Sequence, residues 1–289
     1  MKLCRFSTSS HPWPRVGAVV GPEPDAPILD LSTTGVTRLA DLLASPNLTN
    51  VVRRLCEQRV HRYAPETVCL LAPVEDQEVW AAGVTYLRSK AARMEESQYS
   101  ATAYDRVYDA ERPEIFFKSA GRKVSPPDGP VGIRSDAKWN VPEPELALVL
   151  DPRGTIVGYT VGNDMSSRDI EGDNILYLPQ AKVYKHSCAL GPYIRIGATE
   201  TEAREWTIRL RIHRDGQAAF TGETSVGKIK RTFPELARWL FQCQEMPSGA
   251  ILLTGTGLVP PNEFTLAPGD HVHIEISGIG VLENSVVVV

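Results

Sequence analysis

The sequence lacks the features of membrane-spanning and secreted proteins. It has no uncharged apolar run near the roughly 18 residues that a membrane-spanning helix requires. The N-terminal segment becomes polar within a few residues, so it lacks the apolar core of a signal peptide. We therefore expect a cytoplasmic protein with no membrane partner.

Cysteine is scarce, and its spacing argues against a metal or redox role. No two of the five cysteines are close enough for a CxxC motif. An odd, scattered set in a chain of this length is typical of reduced thiols that pack in the interior. The set consists of Cys4, Cys56, Cys69, Cys188 and Cys243.

The charge balance gives no indication of a nucleic-acid partner. Lys and Arg number 31 against 35 Asp and Glu, which leaves a net charge of -4. A chain with this balance has no general attraction for a polyanion. The hydrophobic content of 42% over 289 residues is ordinary for a globular protein and allows a core of its own.

The positions of Gly, Pro and other turn-forming residues predict a small N-terminal α/β domain over residues 1–72 and a larger, mainly β domain over 73–289. In the first part, residues 15–20 and 27–32 read as short strands. Residues 37–59 carry two amphipathic helical patterns, which Pro46 separates. The fold class is therefore α+β, mainly β.

Local patterns in the second part predict hairpins and a capped helix. Residues 145–150 and 155–161 form one hairpin, since Asp-Pro-Arg-Gly lies between them. Residues 206–213 alternate between apolar and polar side chains and end at Asp215-Gly216, a turn. Thr232 and Glu235 form a capping box before a helix.

Residues 88–108 are polar, charged and lack an apolar stripe. Such a segment directly after a strand is typical of a lid that orders over a ligand. A solvated surface helix is the other reading, and the sequence does not decide between the two.

Three carboxylates form the strongest chemical signal. Glu143 and Glu145 are two residues apart at the start of a strand, so their side chains share a face. Asp164 lies at the end of the next strand of the predicted hairpin, which brings it beside them. The repulsion among them would be relieved by a hard cation such as Mg²⁺, Mn²⁺ or Ca²⁺. The other reading is an exposed edge strand with unpaired glutamates.

The surroundings of these carboxylates resemble the catalytic domain of the fumarylacetoacetate hydrolase family. The resemblance covers about 76–289 in collinear order. It is carried by PEPELALVL (142–150), GYTVGNDMSSRDIE (158–171), QAKVYKHSCALGPYI (180–194), LTGTG (253–257) and PGDHVHIEISGIGVLEN (268–284).

The resemblance implies a mixed β-sandwich or roll and a homo-oligomer, usually a dimer or tetramer. It also implies Mg²⁺ on Glu143, Glu145 and Asp164. Arg168 and Lys182 would face the ligand, and Thr256 would contact the substrate carboxylate.

One departure from the family pattern concerns the residues that activate water. The family's carbon–carbon hydrolases and decarboxylases usually carry N-Y-x-x-H with a glutamate a few residues on. Here the segment reads Val-Thr-Tyr-Leu-Arg-Ser, so Ser89 stands in the histidine position. Serine alone does not deprotonate water near neutral pH, although Glu95 or Glu96 could still act as a base. Hydrolysis is therefore disfavoured.

This variant, with residues 84–93 and 112–118, resembles the family's sugar-acid dehydratase branch. That branch acts on 2-keto-3-deoxypentonates in oxidative pentose catabolism and yields 2,5-dioxopentanoate. The reaction needs an acid/base pair, for which Glu114 and Lys182 are the candidates. Ser89, Lys90 and Arg93 would bind substrate from the lid.

Two other readings compete with a Mg²⁺-dependent dehydratase of a 2-keto acid. A hydrolase of 2,4-diketo sugar acids requires a base that activates water, and the missing histidine argues against it. A non-catalytic metal-binding or scaffold protein predicts that Lys182, Glu114 and the carboxylates do not converge on one pocket.

Overall fold

The computed structural model describes residues 1–21, 25–87 and 106–289, and its largest element is a mixed sheet. In these residues the strand order is β4-β3-β2-β1-β13-β11-β10-β16-β6-β7, with β5 paired to β1. The only parallel pair among those described in this sheet is β16 with β6. The strands are β1 Lys2–Ser7, β2 Arg15–Val19, β3 Ile28–Asp30, β4 Arg62–Tyr63, β5 Cys69–Leu71, β6 Glu78–Gly83, β7 Glu114–Ala120, β10 Pro144–Leu150, β11 Ile156–Asp164, β13 Cys188–Ile196 and β16 Ala250–Leu253.

A second sheet packs against the first, and a two-stranded ribbon lies beside them. The second sheet has the order β15-β14-β17-β18-β8, and the ribbon pairs β9 with β12. The strands of the second sheet are β8 Pro130–Ile133, β14 Thr207–Arg214, β15 Gln217–Ser225, β17 His271–Ile276 and β18 Gly280–Val288, and those of the ribbon are β9 Asn140–Val141 and β12 Ser166–Ser167. These mixed sheets confirm the predicted mainly β fold.

The central strand β10 is buried on both faces, which explains its uninterrupted apolar run. Leu146 and Leu148 pack into the core between the sheets, together with Leu210 of β14. Ala147 and Val149 point the other way, into the core formed with the N-terminal helices. Glu145 lies on the same side of β10 as these two residues, because side chains alternate along a strand.

The predicted helices are present at the expected places. Two short helices flank Pro46, and Thr232 caps the last helix, since its hydroxyl accepts from the Glu235 N–H at 3.3 Å. The helices are α1 Leu39–Leu43, α2 Leu48–Cys56, α3 Arg168–Asp173, α4 Leu178–Lys182, α5 Glu200–Arg204 and α6 Phe233–Phe241. No helix in the described ranges is long and apolar enough to cross a membrane.

Both predicted hairpins form. In the turn between β10 and β11, the Asp151 carboxylate accepts from the N–H groups of Arg153 and Thr155, each at 2.9 Å. Between β14 and β15, Asp215 and Gly216 have φ angles of 51° and 76°, as a tight two-residue hairpin turn requires.

The N-terminal strands join the main sheet directly. Lys2 and Leu3 of β1 pair with Arg195 and Ile194 of β13, so the sheet runs without a break from residues 1–72 into the rest of the chain. The division into domains 1–72 and 73–289 stays a prediction. All five cysteines are free, and Cys4 and Cys188 are buried.

Candidate active site

The hairpin of β10 and β11 brings three carboxylates together. Glu143 and Glu145 flank the first residue of β10, and Asp164 is the last residue of β11. The Asp164 N–H donates to the Glu143 carbonyl at 3.0 Å, which closes the hairpin at this end. One oxygen from each carboxylate lies within 4.8 Å of the others, and all three residues are buried. We call this group the acidic site.

Two of the predicted cations contact the acidic site. Arg168, at the start of α3, donates to Glu143 Oε1 at 2.6 Å. Lys182, at the end of α4, donates to Glu143 Oε2 at 2.8 Å and to Asp164 Oδ2 at 3.3 Å. The Lys182 ammonium also donates to Ser166 Oγ at 2.6 Å. Both side chains are 1% exposed, so their contacts with the carboxylates are buried in the protein interior.

A third cation, Lys118, was not among the predicted site residues. It lies on β7, is fully buried, and places Nζ 2.5 Å from Asp164 Oδ1. The same ammonium donates to the carbonyl oxygens of Met165 and Lys182. The alternation Glu114, Phe116, Lys118 along one strand face was the signal that could have identified it.

Glu145 has a strongly perturbed pKa. Burial raises its pKa well above the ordinary value, and Asp164 and Glu143 add to the rise. Lys182 and the Gly255 N–H, which donates to Glu145 Oε2 at 2.6 Å, act in the opposite direction. A donor set made of carboxylate oxygens alone fits a hard divalent cation such as Mg²⁺ or Mn²⁺.

The backbone at Gly255 packs closely against Thr85, and in this position its N–H donates to Glu145. Gly255 has a φ of +89°, and a side chain there would collide with the Thr85 hydroxyl. That hydroxyl donates to the Thr254 carbonyl at 2.6 Å, which ties this turn to the end of β6. Glycine is needed here, because only glycine combines the positive φ with the close contact.

Thr256 lines the same cleft, and its hydroxyl has partners within the protein. It lies 3.0 Å from the Pro144 carbonyl and 3.1 Å from the Leu258 carbonyl, and the Leu258 N–H donates to it at 3.3 Å. The hydroxyl therefore connects the turn at residues 254–258 to the start of β10. Its predicted contact with a substrate carboxylate stays a prediction.

Glu114 lies beside Gly83, one of the residues that line the cleft over the acidic site. It is the first residue of β7, pairs with Gly83 of β6, and is half-buried. A methyl group on Gly83 would overlap Glu114 Oε2, so the carboxylate lies directly over that glycine. Ser89, Lys90 and Arg93 lie outside the described residues, as does nearly all of the predicted lid, so their roles stay predictions.

The cleft over the acidic site has no histidine among its described lining residues. His186, the histidine nearest in sequence to Lys182, instead contacts Ser125 Oγ at 3.2 Å and lines a separate cavity of about 530 Å³. The described residues that line the cleft are Ala82, Gly83, Val84, Phe116, Glu143, Glu145, Asp164, Arg168, Lys182, Gly255 and Thr256.

Residues 78–287 match the sequence model of the fumarylacetoacetate (FAA) hydrolase C-terminal domain. The chain belongs to the fumarylacetoacetate hydrolase family. The predicted resemblance is thereby confirmed, and the match includes the acidic site and both cations that were predicted to face the ligand.

Within this family the chain is similar to sugar-acid dehydratases. It is 44% identical over 264 residues to a probable 2-keto-3-deoxyxylonate dehydratase of Haloferax volcanii, covering 91% of this chain and 87% of the relative. It is 40% identical over 213 residues to the 2-dehydro-3-deoxy-D-arabinonate dehydratase of Saccharolobus solfataricus, covering 73% and 72%. The expected likeness to the dehydratase branch is therefore confirmed.

A solved structure shares the whole fold. The 2-keto-3-deoxy-D-arabinonate dehydratase complexed with magnesium and 2,5-dioxopentanoate superposes with a TM-score of 0.84 at 32% identity. The superposition covers 100% of this chain and 99% of that one.

Proposed function

We propose that this protein is a Mg²⁺-dependent dehydratase that converts a 2-keto-3-deoxypentonate into 2,5-dioxopentanoate. The names of the two relatives and the magnesium complex of the third support this reaction. The observation that carries the proposal is the acidic site itself, three buried carboxylates with Lys182 among them and with Glu114 over Gly83 of the cleft lining.

Glu143, Glu145 and Asp164 would hold the cation, for which Mn²⁺ is a second candidate. A bound Mg²⁺ would polarise the 2-keto oxygen and so make a proton on C3 easier to remove. The buried position of the ligands keeps bulk water from competing for them.

Glu114 is the candidate base. Its half-buried carboxylate lies over Gly83 at the edge of the cleft, where it can take the C3 proton from a bound substrate. The C4 hydroxyl then leaves as water once it receives a proton. Transfer of a proton from C5 to C3 then gives the C4–C5 enol, and loss of the enol hydroxyl proton with gain of a proton at C4 completes the conversion to the aldehyde.

Lys182 is the candidate acid. Its three hydrogens are directed at oxygens of Glu143, Asp164 and Ser166, so it donates rather than accepts in this arrangement. A substrate hydroxyl that replaces one of these acceptors would receive a hydrogen bond, and then a proton, from Nζ.

Substrate binding is assigned to the cationic and hydroxyl groups around the cleft. Arg168 and Thr256 lie on its wall, and Ser89, Lys90 and Arg93 are proposed to contact the substrate from residues 88–108. Guanidinium and ammonium groups are suited to the carboxylate of a 2-keto acid.

We also assign the protein to the cytoplasm and to a homodimer or homotetramer. Between α3 and α4, Ile175, Leu176 and Tyr177 expose 49%, 78% and 40% of their surface. Adjacent exposed apolar side chains favour a protein partner, and a second copy is the partner implied by the family. Light scattering after size exclusion measures the number of copies.

The function is tested with both C4 epimers of 2-keto-3-deoxypentonate in the presence of Mg²⁺. NMR should show 2,5-dioxopentanoate from at least one epimer, and EDTA should abolish its formation. Cleavage of a 2,4-diketo acid to pyruvate, with neither epimer dehydrated, would replace the proposal by the hydrolase.

A further inference from the structure

The geometry points to Lys118 as a positioning residue that sets the charge of the acidic site, and this inference rests on the proposed function. Its ammonium forms an ion pair with Asp164 Oδ1, whereas the Lys182 ammonium contacts Oδ2, and so Lys118 contributes to neutralising that carboxylate. The consequence is a site that binds its metal loosely and retains positive charge for an anionic substrate.

The contacts of Lys118 lie entirely within the protein. An ammonium has three hydrogens, and Nζ has three close oxygens: Asp164 Oδ1 at 2.5 Å, the Met165 carbonyl at 2.8 Å and the Lys182 carbonyl. The side chain is 0% exposed. With no exposed surface, Lys118 acts on a substrate only through its neighbours.

These contacts join three elements of the site. Lys118 belongs to β7, Asp164 ends β11, and Lys182 ends α4. The ammonium engages one oxygen of Asp164, while Lys182 Nζ lies 3.3 Å from the other. Asp164 is therefore held between two cations.

The charge balance of the described residues follows from this arrangement. Three carboxylates in the acidic site face three buried cations, Lys118, Arg168 and Lys182, so the group is neutral. A divalent cation gives these six groups a surplus of two positive charges, and the ionised Glu114 beside the cleft reduces it to one, which suits a 2-keto acid that brings one negative charge. Without Lys118 the acidic site would attract the metal more strongly and the substrate anion less.

The test measures the affinities for Mg²⁺ and for pyruvate, which removal of the Lys118 charge should change in opposite directions. In Lys118→Met, the dissociation constant of Mg²⁺ should fall about tenfold or more, since the charge removed lies close to the metal ligands. At saturating Mg²⁺, the dissociation constant of pyruvate should rise by about the same factor. Isothermal titration with Mg²⁺ and with pyruvate measures both without turnover.

Three further variants separate charge from structure. Lys118→Gln is neutral but keeps hydrogen-bond donors for the two carbonyls, and should show the same opposite shifts. Lys118→Arg keeps the charge and should bind both probes nearly as the wild type does. The matched control is Arg214→Met, which removes a cation from the buried Asp270 and from the Thr265 carbonyl in the second sheet. It should change neither affinity.

Weaker Mg²⁺ binding in the neutral Lys118 variants, or unchanged pyruvate binding, would overturn the inference. Failure of both neutral variants to fold while Lys118→Arg folds would assign Lys118 to stability and also overturn it. If the wild type binds Mg²⁺ and pyruvate but dehydrates neither epimer, the proposed function is refuted and the inference on Lys118 is not. If the wild type binds no Mg²⁺, both are refuted.

Discussion

In the second sheet, the buried carboxylate of Asp270 has one cation of its own, whereas in the acidic site three carboxylates share their cations. Arg214 donates to both Asp270 oxygens at 2.8 Å, and the Ala267 N–H donates to one of them at 2.9 Å. In the acidic site, Lys182 bridges Glu143 and Asp164, and Glu145 depends mainly on a backbone N–H.

The contrast separates a carboxylate that serves the fold from carboxylates that serve a ligand. The Asp270 pair is complete, because each charge is matched by its neighbour and by hydrogen bonds. In the acidic site, burial raises the pKa of Glu145 well above its ordinary value, and the neighbouring carboxylates of Asp164 and Glu143 add to the rise. Such a shift is typical of sites that bind or transform a ligand.

Removal of a proposed metal ligand should give the largest effect on activity. Glu143→Ala, Glu145→Ala and Asp164→Ala should each lower turnover on the order of 10³-fold or more, because the metal contributes several kcal/mol. Glu145→Ala should stay folded, since it removes one repelling charge, whereas Glu143→Ala and Asp164→Ala leave buried cations with fewer partners and should lower the free energy of unfolding. Turnover assays with Mg²⁺ titration and circular dichroism measure the two properties. Full activity of wild type after exhaustive chelation would refute the metal site.

Replacement of the candidate base should give the next largest effect. Glu114→Gln keeps the shape of the side chain and removes the base, so turnover should fall on the order of 10²-fold. Mg²⁺ affinity should be unchanged, as measured by isothermal titration. Glu111→Gln, an exposed neighbour on the same segment, is the control and should retain activity. Equal turnover in both variants would exclude Glu114 as the base.

The raised pKa of Glu145 predicts that stabilisation by Mg²⁺ depends on pH. A raised pKa in the folded state means that folding favours the protonated carboxyl. The free energy of unfolding without metal should therefore fall as pH rises from the ordinary value of 4.5 toward the folded-state value. Mg²⁺ must displace the proton, so the increase in melting temperature that it causes should grow with pH.

Thermal unfolding over a pH series, with and without Mg²⁺, measures this dependence. Glu145→Gln cannot ionise at this position, so its metal-free stability should lack this contribution. An increase in melting temperature of the wild type that is the same at every pH would contradict the prediction.

The smallest effect on activity is expected at the ion pair of the second sheet. Asp270→Asn weakens the hydrogen bonds to Arg214 and should lower the free energy of unfolding by about 1–2 kcal/mol. Its turnover and Mg²⁺ affinity should equal those of the wild type well below the melting temperature. Urea unfolding and turnover assays measure both. Loss of Mg²⁺ binding in this variant would mean that the two regions are coupled.

Local sequence patterns were sufficient for the elements that form the core of the site. The Asp-Pro-Arg-Gly turn and the two apolar runs beside it define a hairpin, and a hairpin brings its own ends together. Glu143, Glu145 and Asp164 could be assigned to one place because they lie at those ends. The Thr232 N-cap of α6 and the break at Pro46 were equally local.

Groups that arrive from distant strands could not be placed in this way. Lys118 comes from β7, which pairs with β6 and not with β11, so its contact with Asp164 depends on the path of the whole sheet. The close approach of Gly255 to Thr85 is similar, because it joins two segments far apart in the chain. Alternation along β7 puts Lys118 and Glu114 on one face but does not say what that face meets.

By itself, therefore, the sequence determined the fold class, the carboxylates of the acidic site and the likeness to dehydratases. Those features follow from short-range periodicity, turn chemistry and motif order, which are properties of contiguous residues. Only the tertiary structure decided which cation neutralises each carboxylate and which N–H reaches Glu145. The balance of charge in a buried site depends on distances between strands that the order of residues alone does not contain.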